Sequence, residues 1–294
     1  MSLARPIRTM LFVPGNRRSW MEKARKAGAD ALVFDLEDSV PCAEKAAARD
    51  IVAAEIDKHA AENGLLYIRI NRDNQKYDSE DVSAVVKPGI NGLFVPKAEG
   101  PEDVSDLSDM VAEMEKRKGI PSGSIGLVVA LETARSVQLS YEIAQLPRVE
   151  TLVACTARNA DVARNLGFTW TAEGLETLYH RSRAVIASRA AGKKFPIGGL
   201  WQDVHDLDGL RKFAEFNRSL GFTGEIVLHP SNVPVVNEVY SLSQADRRYY
   251  EGMIEAFAEA EVEGKAAVMY EGEHIDIAHV TTAREMLATY GEDT

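Results

Sequence analysis

Cysteine is almost missing from this 294-residue chain, which has only Cys42 and Cys155. That excludes a disulfide framework and a cysteine-based zinc site. The six histidines show neither an HxH nor an HExxH spacing, so they offer no zinc motif. No apolar run approaches the ~20 residues that a transmembrane helix needs. The opening residues, MSLARPIRT, lack the apolar core of a secretion signal. Positive charge is scarce: 34 Lys and Arg stand against 45 Asp and Glu, a net charge of −11. Nucleic acid and anionic membrane are therefore poor general partners, although a local basic site can still take an anionic ligand. Internal repeats, low-complexity tracts and linkers are also missing. A soluble cytoplasmic protein is the expectation.

What is present is an alternation of short apolar runs with longer helical patterns. Strands are predicted at Met10–Val13, Ala31–Phe34, Leu66–Ile70, Gly92–Val95, Leu127–Leu131, Thr151–Ala154, Phe195–Ile197 and Ile226–Leu228. Phe195–Ile197 is placed mostly by spacing. Helical patterns between them include Ala43–Ala61, Val104–Lys118, Glu173–Ala191 and Leu207–Leu220. Eight βα units in about 240 residues match a (β/α)8 TIM barrel better than an open doubly wound sheet. The barrel is expected over residues 1–240. Residues 241–294 form an extension with an amphipathic helix at Ser243–Val262, a hairpin across Glu271-Gly272 and a last helix at Thr281–Tyr290. It is too small to fold alone, so it is expected to pack on the barrel or on a neighbouring subunit.

Barrel enzymes carry their chemistry just after their strands. The stretch Gly126–Ala134, GLVVALETA, illustrates the pattern: a buried strand halts at Glu132, and a helical segment follows. Glu132 alone is equally a helix-start carboxylate. A second acid, Asp161, follows the next strand. The other strand ends supply Pro14-Gly15-Asn16-Arg17, Asp35-Leu36-Glu37-Asp38, Arg69-Ile70-Asn71, Pro96-Lys97 and His229-Pro230. Two carboxylates with open positions suit a hard cation such as Mg2+. His229 is a structural or ligand-contact histidine rather than a metal ligand. Arg69 is the cation placed to hold a carboxylate or a developing enolate oxygen, and pairing with Glu37 or Asp38 is compatible with that role.

The motifs LFVPGNR, FDLEDSV, YIRIN, GLFVPKAE, ALETA, GLETLYHRSRAVIASRAAG, GFTGEIVLHPSNVPVVNEVY and HIDIAHVTTAREML run in order along nearly the whole chain. In these stretches the chain resembles the citrate lyase β-subunit-like family of the HpcH/HpaI aldolase superfamily, which includes malyl-CoA and citramalyl-CoA lyases. The resemblance implies a (β/α)8 barrel, Mg2+ (or Mn2+) as cofactor, and carbon–carbon lyase chemistry on a CoA thioester that yields a small 2-keto acid. It implies Glu132 and Asp161 as metal ligands and Arg69 as the active-site arginine. Asp276 would be the acid of the tail, and Glu37 and Asp38 would support the site. Pro14, Gly15, Arg17, Lys97, Ala160, His229 and Pro230 would contact substrate or CoA. It also implies a homotrimer or hexamer that exchanges its C-terminal lids. Thioesterase and citryl carrier-protein activities belong to the same resemblance, and a weakly catalytic CoA-ester-binding paralogue is a further alternative. Where the family reads Gly-Ala-Glu-Asp, this chain has Arg158-Asn159-Ala160-Asp161, so Arg158 is expected to set substrate choice. Glu225 stands where a basic residue is common.

Overall fold

A computed structural model describes residues 3–60 and 64–290. The chain divides into two compact units between Val239 and Tyr240. In the first unit, seven parallel strands form one curled sheet. In chain order they are β1 (Thr9–Pro14), β2 (Ala31–Asp35), β3 (Leu65–Arg69), β4 (Gly92–Val95), β5 (Gly126–Leu131), β6 (Val149–Ala154) and β7 (Glu225–Val227). The spatial order is β6-β5-β4-β3-β2-β1-β7. Buried apolar side chains from every strand meet inside the curl, among them Met10, Val33, Tyr67, Phe94, Val128, Val153 and Ile226. Such near-continuous apolar runs are what strands covered on both faces require.

The segment predicted as strand Phe195–Ile197 is not an extended strand. It contributes single parallel bridges, Val153↔Ile197 to β6 and Gly198↔Glu225 to β7. Only a residue or two is in register with each edge strand, which explains why its apolar signal was so short.

The helices begin where local chemistry dictates. Thr133 caps α5 (Ala134–Gln138) with a reciprocal bond to Ser136. The helical segment expected after Glu132 is broken at Leu139 and restarts as α6 (Ser140–Ala144). α4 (Pro101–Lys118) has proline at its start and ends on Gly119 in the left-handed conformation. α9 (Leu207–Leu220) is capped by Asp206. The pattern at Glu173–Ala191 resolves into a 3-10 turn, Leu175–Thr177, and α8 (Leu178–Ala190). The predicted helix at Ala43–Ala61 starts as a 3-10 turn, Cys42–Glu44, and continues as α2 (Lys45–Ala60); Ala61 lies outside the described residues. Among the described residues, no helix is long and apolar enough to cross a membrane.

The second unit holds α11 (Gln244–Val262), the antiparallel hairpin β8 (Ala267–Tyr270) and β9 (Glu273–Asp276), and α12 (Ile277–Tyr290). Its small core is Met253, Phe257, Ile275, Val280 and Ala283. α12 starts four residues earlier than the expected Thr281 because Asp276 caps it, accepting from the amides of Ala278 and His279.

Candidate active site

The carboxyl ends of the strands gather the charged residues, and the parallel register decides how they pair. Asp35 ends β2 and stands directly opposite Arg69, which ends β3. The Arg69 guanidinium grips Asp35 with two bonds, Nε to Oδ1 at 2.6 Å and Nη2 to Oδ2 at 2.7 Å. Ser39 and the Glu37 amide also donate to Asp35. Burial raises the Asp35 pKa, but Arg69 and these donors outweigh it and hold the carboxyl below its ordinary value. Arg69 also meets Glu37 at 3.1 Å. Its two hydrogen bonds go to Asp35, and the contact with Glu37 is an ion pair.

Lys97 is the second organising cation. Its ammonium lies 2.7 Å from Glu37, 3.1 Å from Asp38 and 3.6 Å from Asp161. Its own amide donates to Glu132 Oε2 at 2.8 Å. Lys97 has φ +50°, a left-handed conformation that costs a non-glycine residue about 1–2 kcal/mol. Burial, only partly offset by Arg69 and Lys97, pushes the Glu37 carboxyl up to about 7. Burial raises Glu132 as well, against the opposing pull of Arg69 and the Lys97 amide.

Arg69, Glu132, Ala160 and Asp161 line one cavity of about 130 Å3, with Phe12, Phe94, Leu200, Ile226 and Leu228 as its apolar wall. Cys155 and Thr156 also line it. Burial, and the Glu132 carboxylate beside it, raise the Cys155 thiol well above its usual pKa, so it stays protonated. A larger cavity of about 430 Å3 shares Phe12, Arg69 and Leu228 with the first. Pro14, His229 and Pro230 border it, along with Trp20 and Lys23 of α1 (Arg18–Ala24). The two cavities therefore meet at Arg69, a small acidic one and a larger, mainly apolar one.

The donor set tests the metal expectation. Among the described residues, no three His, Cys, Asp or Glu side chains converge into a ready-made cage. Two carboxylates on one cavity, with a thiol kept protonated, suit a hard divalent cation that takes its remaining ligands from water and substrate. They do not suit a closed zinc site. Asp161 is held by Arg164 and Lys97, and a cation there would have those two as rivals.

Several expected contacts fall elsewhere. Gly15 lines neither cavity; its amide donates to the Asp35 carbonyl at 2.7 Å. A Cβ at Gly15 would come within 2.6 Å of that oxygen, so its role is the close approach of two strand ends. Arg17 is exposed before α1 and lines neither cavity. Lys97, Glu37 and Asp38 stand beside the smaller cavity as an ion-pair network rather than on its wall. Arg158 does not face the cavity: it lies over Trp170 at 5.6 Å, and its amide donates to Gln202. Glu225 is buried at the start of β7, at the opposite end of the sheet, and accepts from Asn217. His229 bonds Ser231 through Nδ1 at 2.7 Å. Asp276 belongs to the second unit, where the His279 hydrogen bond holds its carboxyl below the ordinary value. Sequence reading placed Asp35 at a strand end but gave it no role, although it is the principal partner of Arg69. Its signal was its place as the last residue of a strand, but the register that pairs it with Arg69 is not written locally.

Residues 8–230 match the model of the HpcH/HpaI aldolase/citrate lyase family. A (3S)-malyl-CoA thioesterase of Cereibacter sphaeroides is 30% identical over 285 residues, 97% of this chain and 95% of the relative. A citrate lyase subunit beta of Leuconostoc mesenteroides is 29% identical over 280 residues, 95% of this chain and 92% of the relative. The crystal structure of protein CitE from Mycobacterium tuberculosis, in complex with magnesium, acetoacetate and coenzyme A, is also similar. It superposes with a TM-score of 0.74 at 26% identity, covering 98% of this chain and 99% of that one.

Proposed function

Since the chain belongs to the HpcH/HpaI aldolase/citrate lyase family, we propose that it is a Mg2+-dependent carbon–carbon lyase acting on a hydroxyacyl-CoA of the malyl-CoA or citramalyl-CoA type. The observation that carries this reading is the shared cavity of Arg69, Glu132 and Asp161 beside a larger, mainly apolar one. Glu132 and Asp161 would hold Mg2+, which would polarise the oxygens of the substrate's hydroxy-acid end. Arg69 would orient the substrate carboxylate and stabilise charge on the carbonyl oxygen that forms. Arg69 is the one cationic residue among the described lining of the smaller cavity, so a single carboxylate belongs there. Arg158, turned onto Trp170, offers no clamp for a second. Cleavage would then release a monocarboxylic 2-keto acid such as glyoxylate or pyruvate. The larger cavity would take the thioester arm.

The bridges at Ile197 and Gly198 support reading this segment as the eighth stave of a closed (β/α)8 barrel. The acid that protonates the thioester enolate would be Asp276 of a neighbouring chain in a trimer or hexamer. Mixing inactive Glu132→Gln and Asp276→Asn proteins under subunit exchange should then restore activity, and no recovery after verified exchange would remove Asp276 from that role.

Thioester hydrolysis is the second reading, favoured by the similarity to the malyl-CoA thioesterase. A mass-spectrometric screen of malyl-, methylmalyl- and citramalyl-CoA with Mg2+ separates the two. A 2-keto acid with an acyl-CoA supports the lyase, and an intact hydroxy acid with free CoA supports hydrolysis. No product from any of the esters would leave the chain as a binding paralogue.

A further inference from the structure

Arg72 lies outside every group of residues considered so far, yet its side chain is only 8% exposed and reaches the site from behind. It sits on a two-stranded ribbon, Arg72–Asp73 paired with Lys76–Tyr77, whose turn residues Asn74 and Gln75 both have positive φ. That turn geometry fixes where Arg72 points. The guanidinium stacks on Tyr77 at 5.3 Å and pairs with Asp103 at 3.1 Å. Asp103 also accepts from the Tyr77 hydroxyl and the Glu99 amide. So anchored, Arg72 donates from Nη1 to the Lys97 carbonyl oxygen at 2.6 Å.

Lys97 is the residue whose left-handed backbone turns its amide onto Glu132 and its ammonium onto Glu37, Asp38 and Asp161. A non-glycine residue keeps such a conformation only where its surroundings over-determine it. Its carbonyl is clamped on one side of the turn and its amide on the other. We propose that Arg72 is a positioning residue that acts through Lys97, locking the turn that aims Glu132 at the cavity. Arg72 does not touch the cavity itself. A ribbon outside the sheet thereby sets the geometry of a carboxylate on β5's end.

The test compares Arg72→Met, Lys97→Gly and the double variant with the parent chain. Hydrogen exchange at the residue-97 amide is read in metal-free protein, and Mg2+ affinity is read by calorimetry with the metal alone. Arg72→Met should speed exchange at that amide at least tenfold and weaken Mg2+ binding about tenfold. In the Lys97→Gly background the same substitution should change either quantity less than twofold, because glycine holds φ +50° unaided. A protection change under twofold, or an equal loss in both backgrounds, would show that Arg72 only anchors the start of α4. If Arg72→Met does not fold, Arg72→Lys replaces it, with at least a threefold change expected in the same direction. The calorimetric arm rests on the reading of Glu132 as a metal ligand. A parent chain that takes up no Mg2+ would sink that reading, while the exchange arm would still decide this one.

Discussion

Two buried charge clusters, one at each end of the sheet, are handled in opposite ways. At the amino end, the Arg148–Glu115 pair is matched and sealed. Arg148 grips Glu115 through both nitrogens, at 2.6 and 2.9 Å, and the Gly123 and Ile125 amides complete the carboxylate. Burial alone would raise Glu115, but these partners bring it below its ordinary pKa. At the carboxyl end, Asp35, Glu37, Asp38, Glu132 and Asp161 share Arg69 and Lys97, with Arg164 also on Asp161. Glu37 and Glu132 there have raised pKa values, mainly through burial. The first cluster solves its electrostatics internally and supports the fold. The other keeps a surplus of carboxylate that a divalent cation would relieve, and an open cavity to receive it.

The sharpest way to break this contrast is to neutralise one acid at each end. Glu132→Gln or Asp161→Asn should lower Mg2+-dependent turnover at least about 10⁴-fold, roughly 5 kcal/mol of transition-state stabilisation. Circular dichroism should barely change, because neither side chain belongs to the core. Turnover at the parent level in low Mg2+ would remove that residue as a ligand. Glu115→Gln should do the reverse. Breaking a buried pair costs about 3–5 kcal/mol of stability, to be read as a fall in the urea midpoint, with Mg2+ affinity unchanged.

Glu37 sharpens the comparison through pH. Its carboxyl titrates near 7 in the folded chain, against an ordinary 4.5. Between those values the folded state keeps a proton that the unfolded state has released. This group's contribution to stability is therefore present below about pH 4.5 and is lost as pH rises through about 7, a total on the order of 3 kcal/mol. Urea unfolding of metal-free protein at pH 5 and pH 8 should show this slope, and Glu37→Gln should flatten it. An identical slope in the variant would assign the proton elsewhere. The smallest expected effect is that of Arg69→Lys, which keeps the charge but loses the fork that grips Asp35. A kcat about tenfold lower corresponds to roughly 1.4 kcal/mol. A change confined to KM would place Arg69 in uniform substrate binding instead.

Much of this arrangement was legible in the order of residues. Apolar runs ending in acids marked the strands and their functional ends, because a strand covered on both faces must be apolar and stops where the polar rim begins. Thr133, Ser243 and Gly119 punctuate helices by local bonding alone. Glu132 and Asp161 could be singled out as a pair because Glu132 directly follows its strand and Asp161 lies in the loop after the next one. Pairing across the sheet was another matter. Arg69 was expected to find Glu37 or Asp38, whereas the register set Asp35 opposite it as the bidentate partner and left Glu37 a single contact. Arg158 was expected over the substrate, but Trp170, twelve positions on, offered its ring face. Gly15 and Arg17 carry the motif's letters but line neither cavity. Local periodicity and capping depend on neighbours within a few residues, so the sequence by itself determined the seven strands of the sheet, most helix starts and which residues reach the rim. Which charge meets which depends on strand register and on loops brought together from distant parts of the chain, and only the tertiary structure decided that.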